Sequence, residues 1–185
     1  MASNDPILIV GGGFGGLTAA LALGQRGIPV HVFEGAPEFG AIGYGIQFGP
    51  NIFHVFDALG ISDEVKAVGD EPPGLLMLDA LNGDQVINIP TGESFRNRFT
   101  HQYLIIHRID LHNVLLDACR KIDAITLEPE AKMSSYEDHG DQVSIKLEDG
   151  RSFTGRALIG ADGIGSTTRA QMIGDGDPLP NGYVA

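Results

Sequence analysis

The stretch "PILIVGGGFGGLTAALALGQRGIPVHVFE", residues 6–34, decides the fold. Its opening, "PILIV", is a short continuous apolar run, the pattern of a strand buried on both faces of a parallel sheet, and the glycines end it. From residue 14 to 26, "FGGLTAALALGQR" spaces Leu17, Ala20, Leu21 and Leu23 along one helical face, with Gly27 as the expected terminator. "IPVHVFE", residues 28–34, supplies a second strand. A helical crossover between two such strands makes them parallel neighbours.

Gly11, Gly13 and Gly16 form G-x-G-x-x-G where the first strand meets the helix. Gly11 permits the tight turn, Gly13 lets a pyrophosphate approach the backbone, and Gly16 lets helix and strand pack closely. The helix N-terminus offers N–H groups and a positive dipole end to the phosphates. Glu34 ends the second strand, about 20 residues on, where a carboxylate accepts hydrogen bonds from unphosphorylated ribose hydroxyls. These residues alone leave FAD and NAD open as the dinucleotide.

Further along, "GAPEFGAIGYGIQFGP" (residues 35–50) has too many glycines for a regular element and reads as a long loop. "NIFHVFDALG" predicts a helix capped by Asn51 and closed by Gly60, and residues 62–68 add a short helical piece. "LLMLDA", "NGD" and "QVINI" predict a hairpin turning at Asn82-Gly83. "YLIIH" (103–107) is a strand, and "RIDLHNVLLDACRKI" carries the i, i+3, i+4 pattern of a helix that turns Cys119 inward. "AITLEP", "AKMSSYEDH" and "QVSIKLE" predict a small antiparallel meander, and "RALIGAD" a last buried parallel strand.

That strand feeds a second glycine turn, "GADGIGSTTR", residues 160–169. Asp162 can organise the turn through bonds to backbone N–H groups, while Gly163 and Gly165 leave room for a phosphate. The fold class is therefore α/β: a Rossmann-like, three-layer FAD/NAD(P)-binding fold with a small antiparallel β-meander.

Composition narrows the function. The chain has 185 residues, enough for one cored domain and part of another; 43% hydrophobic and 19% charged residues exclude disorder and fibres. Twelve Lys and Arg against 24 Asp and Glu give a net charge of −12, which disfavours nucleic acid and anionic membrane as partners. No apolar run is long enough for a membrane span, and the start lacks the basic n-region of a signal peptide. With Cys119 as its one cysteine, the expected location is the reducing cytoplasm. No H-E-x-x-H, Cys pair, G-x-S-x-G or Ser-x-x-Lys is present, so neither a metal centre nor an acyl-transfer nucleophile is expected.

Four segments, "GGGFGGL", "FEGAPEFGAIGYGIQFGPN", "HRIDLHNVLL" and "GADGIGSTTR", resemble successive signatures of the single-component FAD-dependent aromatic hydroxylases, the salicylate hydroxylase and 3-hydroxybenzoate 6-hydroxylase group. "FRNRFTHQYLIIHRIDLH" is most similar to the second branch. The resemblance assigns Gly11, Gly13, Phe14, Gly15 and Gly16 to the FAD pyrophosphate and Glu34 to the adenosine ribose. It places Arg108 at the phosphate and ribose region, and Gly45, Ile46 and Gln47 beside the isoalloxazine ring. Backbone around Leu127 would cover the adenine end, and Asp162 and Gly163 would lie near the pyrophosphate and serve nicotinamide cofactor binding. Tyr44 departs from the small residue usual there.

The implied activity is hydroxylation of a phenolic acid such as 3-hydroxybenzoate or salicylate by FAD, NADH or NADPH, and O2, in an enzyme that could form a homodimer. Members of that family are about twice as long. Residues 1–175 are therefore expected to be the FAD-binding domain, with substrate-domain elements inserted at about 72–106, and residues 176–185 to begin a truncated substrate-domain strand. No acid–base residue is implied in this chain, which is expected to be inactive alone. A non-catalytic nucleotide-binding remnant and another FAD-dependent oxidoreductase of the same fold stay open. A simple NAD-dependent dehydrogenase is disfavoured by "GADG" and by the arginine signature.

Overall fold

The structure, a computed structural model, describes residues 5–40, 43–176, 178, 179 and 182. The chain runs β1 (Ile7–Val10), α1 (Phe14–Gly24), β2 (Val30–Phe33), β3 (Gly45–Phe48), α2 (Phe53–Leu59), α3 (Ser62–Ala67) and β4 (Gly69–Asp70). It continues through β5 (Gly74–Leu78), β6 (Gln85–Pro90), α4 (Glu93–Phe99), β7 (Leu104–His107) and α5 (Arg108–Arg120). Last come β8 (Ile125–Glu128), β9 (Met133–Asp138), β10 (Val143–Leu147), β11 (Ser152–Gly155), β12 (Ala157–Gly160) and α6 (Thr167–Ile173). These elements divide into one unit of Met1–Ala41 with Leu115–Ala185 and a second of Ile42–Val114.

In the first unit, β1 pairs in parallel with both β2 and β12, and β2 with β8, giving the order β12-β1-β2-β8. The apolar run of β1 is buried along its whole length because both of its edges and both of its faces are covered. On one face, α1 packs through Leu17, Ala20, Leu21 and Gly24. A Cβ on Gly24 would lie 2.6 Å from Ile125 Cγ1, so glycine sets that helix-to-sheet distance. Buried Cys119 of α5 donates its S–H to the Leu17 carbonyl at 3.4 Å.

The other face is covered by the antiparallel meander β9-β10-β11. Met133, Val143, Ile145 and Leu147 join Leu8, Val10 and Phe33 in one buried cluster. Each such side chain contributes roughly 1.5–3 kcal/mol by leaving water. Helix, parallel sheet and meander are the three expected layers.

Several boundaries differ from expectation. Helix α1 ends at Gly24, and Gly27 (φ +70°) closes the chain reversal by donating its N–H to the Gly24 carbonyl at 2.9 Å. "AITLEP" does not enter the meander: as β8 it pairs in parallel with β2, since its edge was the place left for a short apolar strand beside α1. The meander's third strand is instead β11, "SFTG", which lies outside the three runs expected to form it. β12 is parallel, as expected, but only half-buried, because it borders the sheet.

In the second unit, β3, β7 and β4 form an antiparallel sheet with the order β3-β7-β4. Phe53, Phe56, Leu59, Val65, Leu104 and Ile106 are buried there. The glycine-rich segment is therefore not all loop: Gly45–Phe48 pairs with β7. Asn51 is not an N-cap, since Pro50–Ile52 form a 3-10 turn ahead of α2; Gly60 closes α2 at φ +68° as expected. The β5–β6 hairpin forms, but with a wider turn in which only Gly83 takes a positive φ. Helix α4 was not anticipated. The final strand expected over 176–185 falls largely outside the described residues.

Candidate nucleotide-binding site

The site is built where β1, β2 and β12 end together. The Gly11 N–H donates to the Phe33 carbonyl, and the Ala161 N–H to the Val10 carbonyl, each at 2.8 Å. Gly11 turns there at φ +104°, and any Cβ on it would lie 2.2 Å from the Ala161 carbonyl oxygen. A Cβ on Gly16 would lie 1.9 Å from the Gly11 carbonyl oxygen, so helix and strand meet as closely as backbone allows. Gly13 and Gly15 differ: both are exposed, with open space where a Cβ would stand. The N–H groups of Gly15 and Gly16, in the first turn of α1, have no partner inside the helix.

Glu34 does more than end β2. Its Oε2 accepts the Gly12 N–H at 2.8 Å and its Oε1 the Ala36 N–H at 2.8 Å. The carboxylate thus ties together the two segments bordering the site, while each oxygen keeps a lone pair for a ribose hydroxyl.

Asp162 organises the second glycine turn. Its Oδ1 accepts the Ser166 hydroxyl at 2.6 Å; its Oδ2 accepts the Thr168 N–H at 3.0 Å and the Thr168 hydroxyl at 3.1 Å. Ser166 in turn caps α6 by accepting the Arg169 N–H at 2.9 Å. Partial burial alone would raise the Asp162 pKa, but the hydrogen bonds from Ser166 and Thr168 outweigh it and hold the carboxyl below the usual range. Gly163 turns at φ +76° beside open space.

Gly11, Gly13, Glu34, Asp162 and Gly163 thus share the wall of one cleft of about 360 Å³. Sequence reasoning missed Gly35, Lys132, Met133 and Thr167, which also line it. No sequence motif marks them; after β8 the chain turns at Glu130, a non-glycine residue at φ +50°. Leu127 lies inside β8, opposite Val32, and is not among the lining residues.

The second unit holds the other expected site residues. Gly45, Ile46 and Gln47 lie in β3 opposite His107, Ile106 and Ile105, and the Tyr103 hydroxyl donates to the Gln47 side-chain oxygen. Arg108 begins α5, its N–H donating to the Tyr44 carbonyl at 2.9 Å. Its side chain fills the space beside Gly43, where a Cβ would stand 2.9 Å from Arg108 Cδ. Tyr44 is 89% exposed. His107 ends β7 and His112 lies in α5.

The cleft suits an adenosine diphosphate moiety: open glycine backbone and a helix N-terminus for the phosphates, and a carboxylate with spare lone pairs for the ribose. Among the described residues, no three His, Cys, Asp or Glu side chains could together hold a metal ion, and no helix is long and apolar enough to cross a membrane.

Known proteins resemble this chain along most of its length. The FAD binding domain family matches residues 5–175. The chain is 41% identical over 180 residues to 3-hydroxybenzoate 6-hydroxylase 1 of Aquipseudomonas alcaligenes, covering 97% of this chain and 46% of that protein. It is 45% identical over 170 residues to the 3-hydroxybenzoate 6-hydroxylase of Polaromonas naphthalenivorans strain CJ2, covering 92% and 42%. Among solved structures, Klebsiella pneumoniae HpxO complexed with FAD and uric acid superposes with a TM-score of 0.78 at 28% identity, over 90% of this chain and 41% of that one. A tetrameric form of 2-methyl-3-hydroxypyridine-5-carboxylic acid oxygenase gives 0.78 and 28%, over 91% and 42%. The chain thus spans less than half the length of these relatives.

Proposed function

Because this chain belongs to the FAD binding domain family, we propose that it is the N-terminal, FAD-binding part of a flavoprotein monooxygenase. The reaction is hydroxylation of a phenolic acid such as 3-hydroxybenzoate or salicylate, with NADH or NADPH and O2 as co-substrates. The observation that carries the reading is the meeting of Gly11, Gly13, Glu34 and Asp162 around one cleft. The substrate class rests on the two 3-hydroxybenzoate 6-hydroxylases at 41% and 45% identity.

Bound FAD would supply the redox chemistry and the activation of oxygen. This chain's residues bind and orient it. The first turn of α1, with Gly13, Phe14, Gly15 and Gly16, receives the pyrophosphate; Glu34 fixes the adenosine ribose; Asp162 shapes the turn that presents Gly163. Leu127 backbone belongs to the adenine end, Arg108 to the phosphate and ribose region, and Gly45, Ile46 and Gln47 to the flavin ring. Residues 1–175 act as the FAD-binding domain, with substrate-domain elements at about 72–106. This chain spans less than half the length of those relatives, and most of the groups that grip the aromatic ring are assigned to the remaining length. The intact enzyme would work in the cytoplasm and could form a homodimer.

Equilibrium titration with FAD, FMN and NAD tests the reading. FAD should bind, FMN should not, because it lacks the adenosine that Glu34 recognises, and NAD should bind more weakly than FAD. NAD binding as tightly as FAD would favour a dehydrogenase instead.

A further inference from the structure

The cleft has an acidic wall in an acidic chain. Among the described residues that line it, Glu34 and Asp162 are carboxylates and Lys132 is the one cation. A dinucleotide brings two further negative charges into it, so the position of that ammonium decides much of the electrostatic balance.

Lys132 reaches the cleft through a specific backbone path. After β8, Glu130 turns at φ +50°, and its N–H donates to the Ala36 carbonyl at 2.9 Å. The Ala131 N–H donates to the Glu34 carbonyl at 2.8 Å. The chain is thereby laid across the end of β2, and a Cβ on Gly35 would stand 3.3 Å from Lys132 Cβ. Lys132 therefore lies beside Gly35 and next to the residue bonded to the Glu34 carbonyl, at the end of β2. Its ammonium is held 2.8 Å from Glu148 Oε1, and the Glu148 N–H donates to the Lys132 carbonyl at 2.9 Å. A second concavity of about 270 Å³ adjoins the first at Gly35 and Lys132 and is walled by Glu130, Glu148 and Asp149.

The Lys132 and Glu148 side chains are 66% and 55% exposed, so their pairing is weak and readily exchanged. We infer that Lys132 is an affinity-determining residue for the adenosine half of the dinucleotide, and that Glu148 restrains it by competing for its ammonium. When the nucleotide is absent, Lys132 is parked on Glu148. When it is present, the ammonium is shared with the ribose oxygens and the phosphate charge. Glu148 is then a positioning residue that acts only through Lys132. This inference rests on the FAD reading above.

The two partners should act in opposite directions, which a merely structural ion pair would not do. In fluorescence titrations of the full 185-residue chain with FAD at low salt, Lys132→Gln is expected to weaken binding about 3- to 10-fold and Glu148→Gln to tighten it about 2- to 5-fold. Lys132→Arg should keep near-wild-type affinity, the Lys132→Gln/Glu148→Gln double variant should match Lys132→Gln, and all differences should shrink in about 0.5 M salt. Weakening by both single variants, or no change in either while the wild type binds FAD, would overturn the inference and leave the FAD reading standing. A wild-type chain that binds no FAD would overturn both.

Discussion

The Glu34 carboxylate accepts the Gly12 N–H at 2.8 Å, so the acid at the end of β2 holds the glycine turn at the end of β1. In the proposed reading, ribose recognition and turn geometry are thereby coupled in one side chain. Glu34→Gln keeps the size but offers only one carbonyl oxygen for two N–H groups. FAD affinity should fall by about 1–3 kcal/mol, with a lower melting temperature. An unchanged titration curve would remove Glu34 from the site.

Gly13 and Gly16 should respond differently to the same methyl group. Gly16→Ala forces a Cβ to within 1.9 Å of the Gly11 carbonyl oxygen, so overpacking should cost roughly 1–3 kcal/mol or more of stability. Gly13→Ala meets nothing within 4 Å at an ordinary φ of −76°. It should melt as the wild type does and lose FAD affinity, because its methyl occupies the approach of the pyrophosphate. Thermal melts paired with titrations separate the two; a Gly13→Ala chain that binds normally would place the phosphates elsewhere.

The β-α-β core was legible because each element carries its own signal: "ILIV" is apolar throughout, the glycines stop it, and α1 has a helical period. Glu34 and Asp162 were legible because their turns have sequence patterns. Placement was less so. A four-residue run such as "ITLE" looks the same whether it joins a parallel sheet or a meander, and only the vacant edge of β2 decides. "GIQF" was hidden by its surrounding glycines. Lys132 and Met133 enter the cleft through the turn at Glu130, a tertiary event with no motif.

Asp162 should make stability fall in acid. Its folded-state pKa lies below the ordinary value despite partial burial, because Ser166 and Thr168 donate to the charged form. Its stabilisation is therefore complete above about pH 5 and is lost as pH falls below about 4, through the depressed folded pKa. Urea midpoints across that window should drop more steeply for the wild type than for Asp162→Asn. Parallel slopes would show that the carboxylate contributes nothing.

Cys119 is fully buried and its thiol pKa is pushed up to about 11 by loss of solvation. At about pH 8 a thiol reagent should label the chain only as fast as it unfolds. The neutral thiol's contribution to stability should be complete below about pH 8.5 and lost as pH rises through the folded value. Rapid labelling of the native chain would contradict the packing of α5 against α1.

Arg108 fills the space that Gly43 leaves open. Arg108→Ala should weaken FAD binding by about 1–3 kcal/mol, read by the same titration. Unchanged affinity would separate the second unit's arginine from the cofactor.

The most direct test of FAD binding is the visible spectrum and mass of the purified chain after incubation with FAD and desalting. The expected result is flavin absorbance near one equivalent per 19.6 kDa chain. A folded chain of that mass that stays colourless would contradict it.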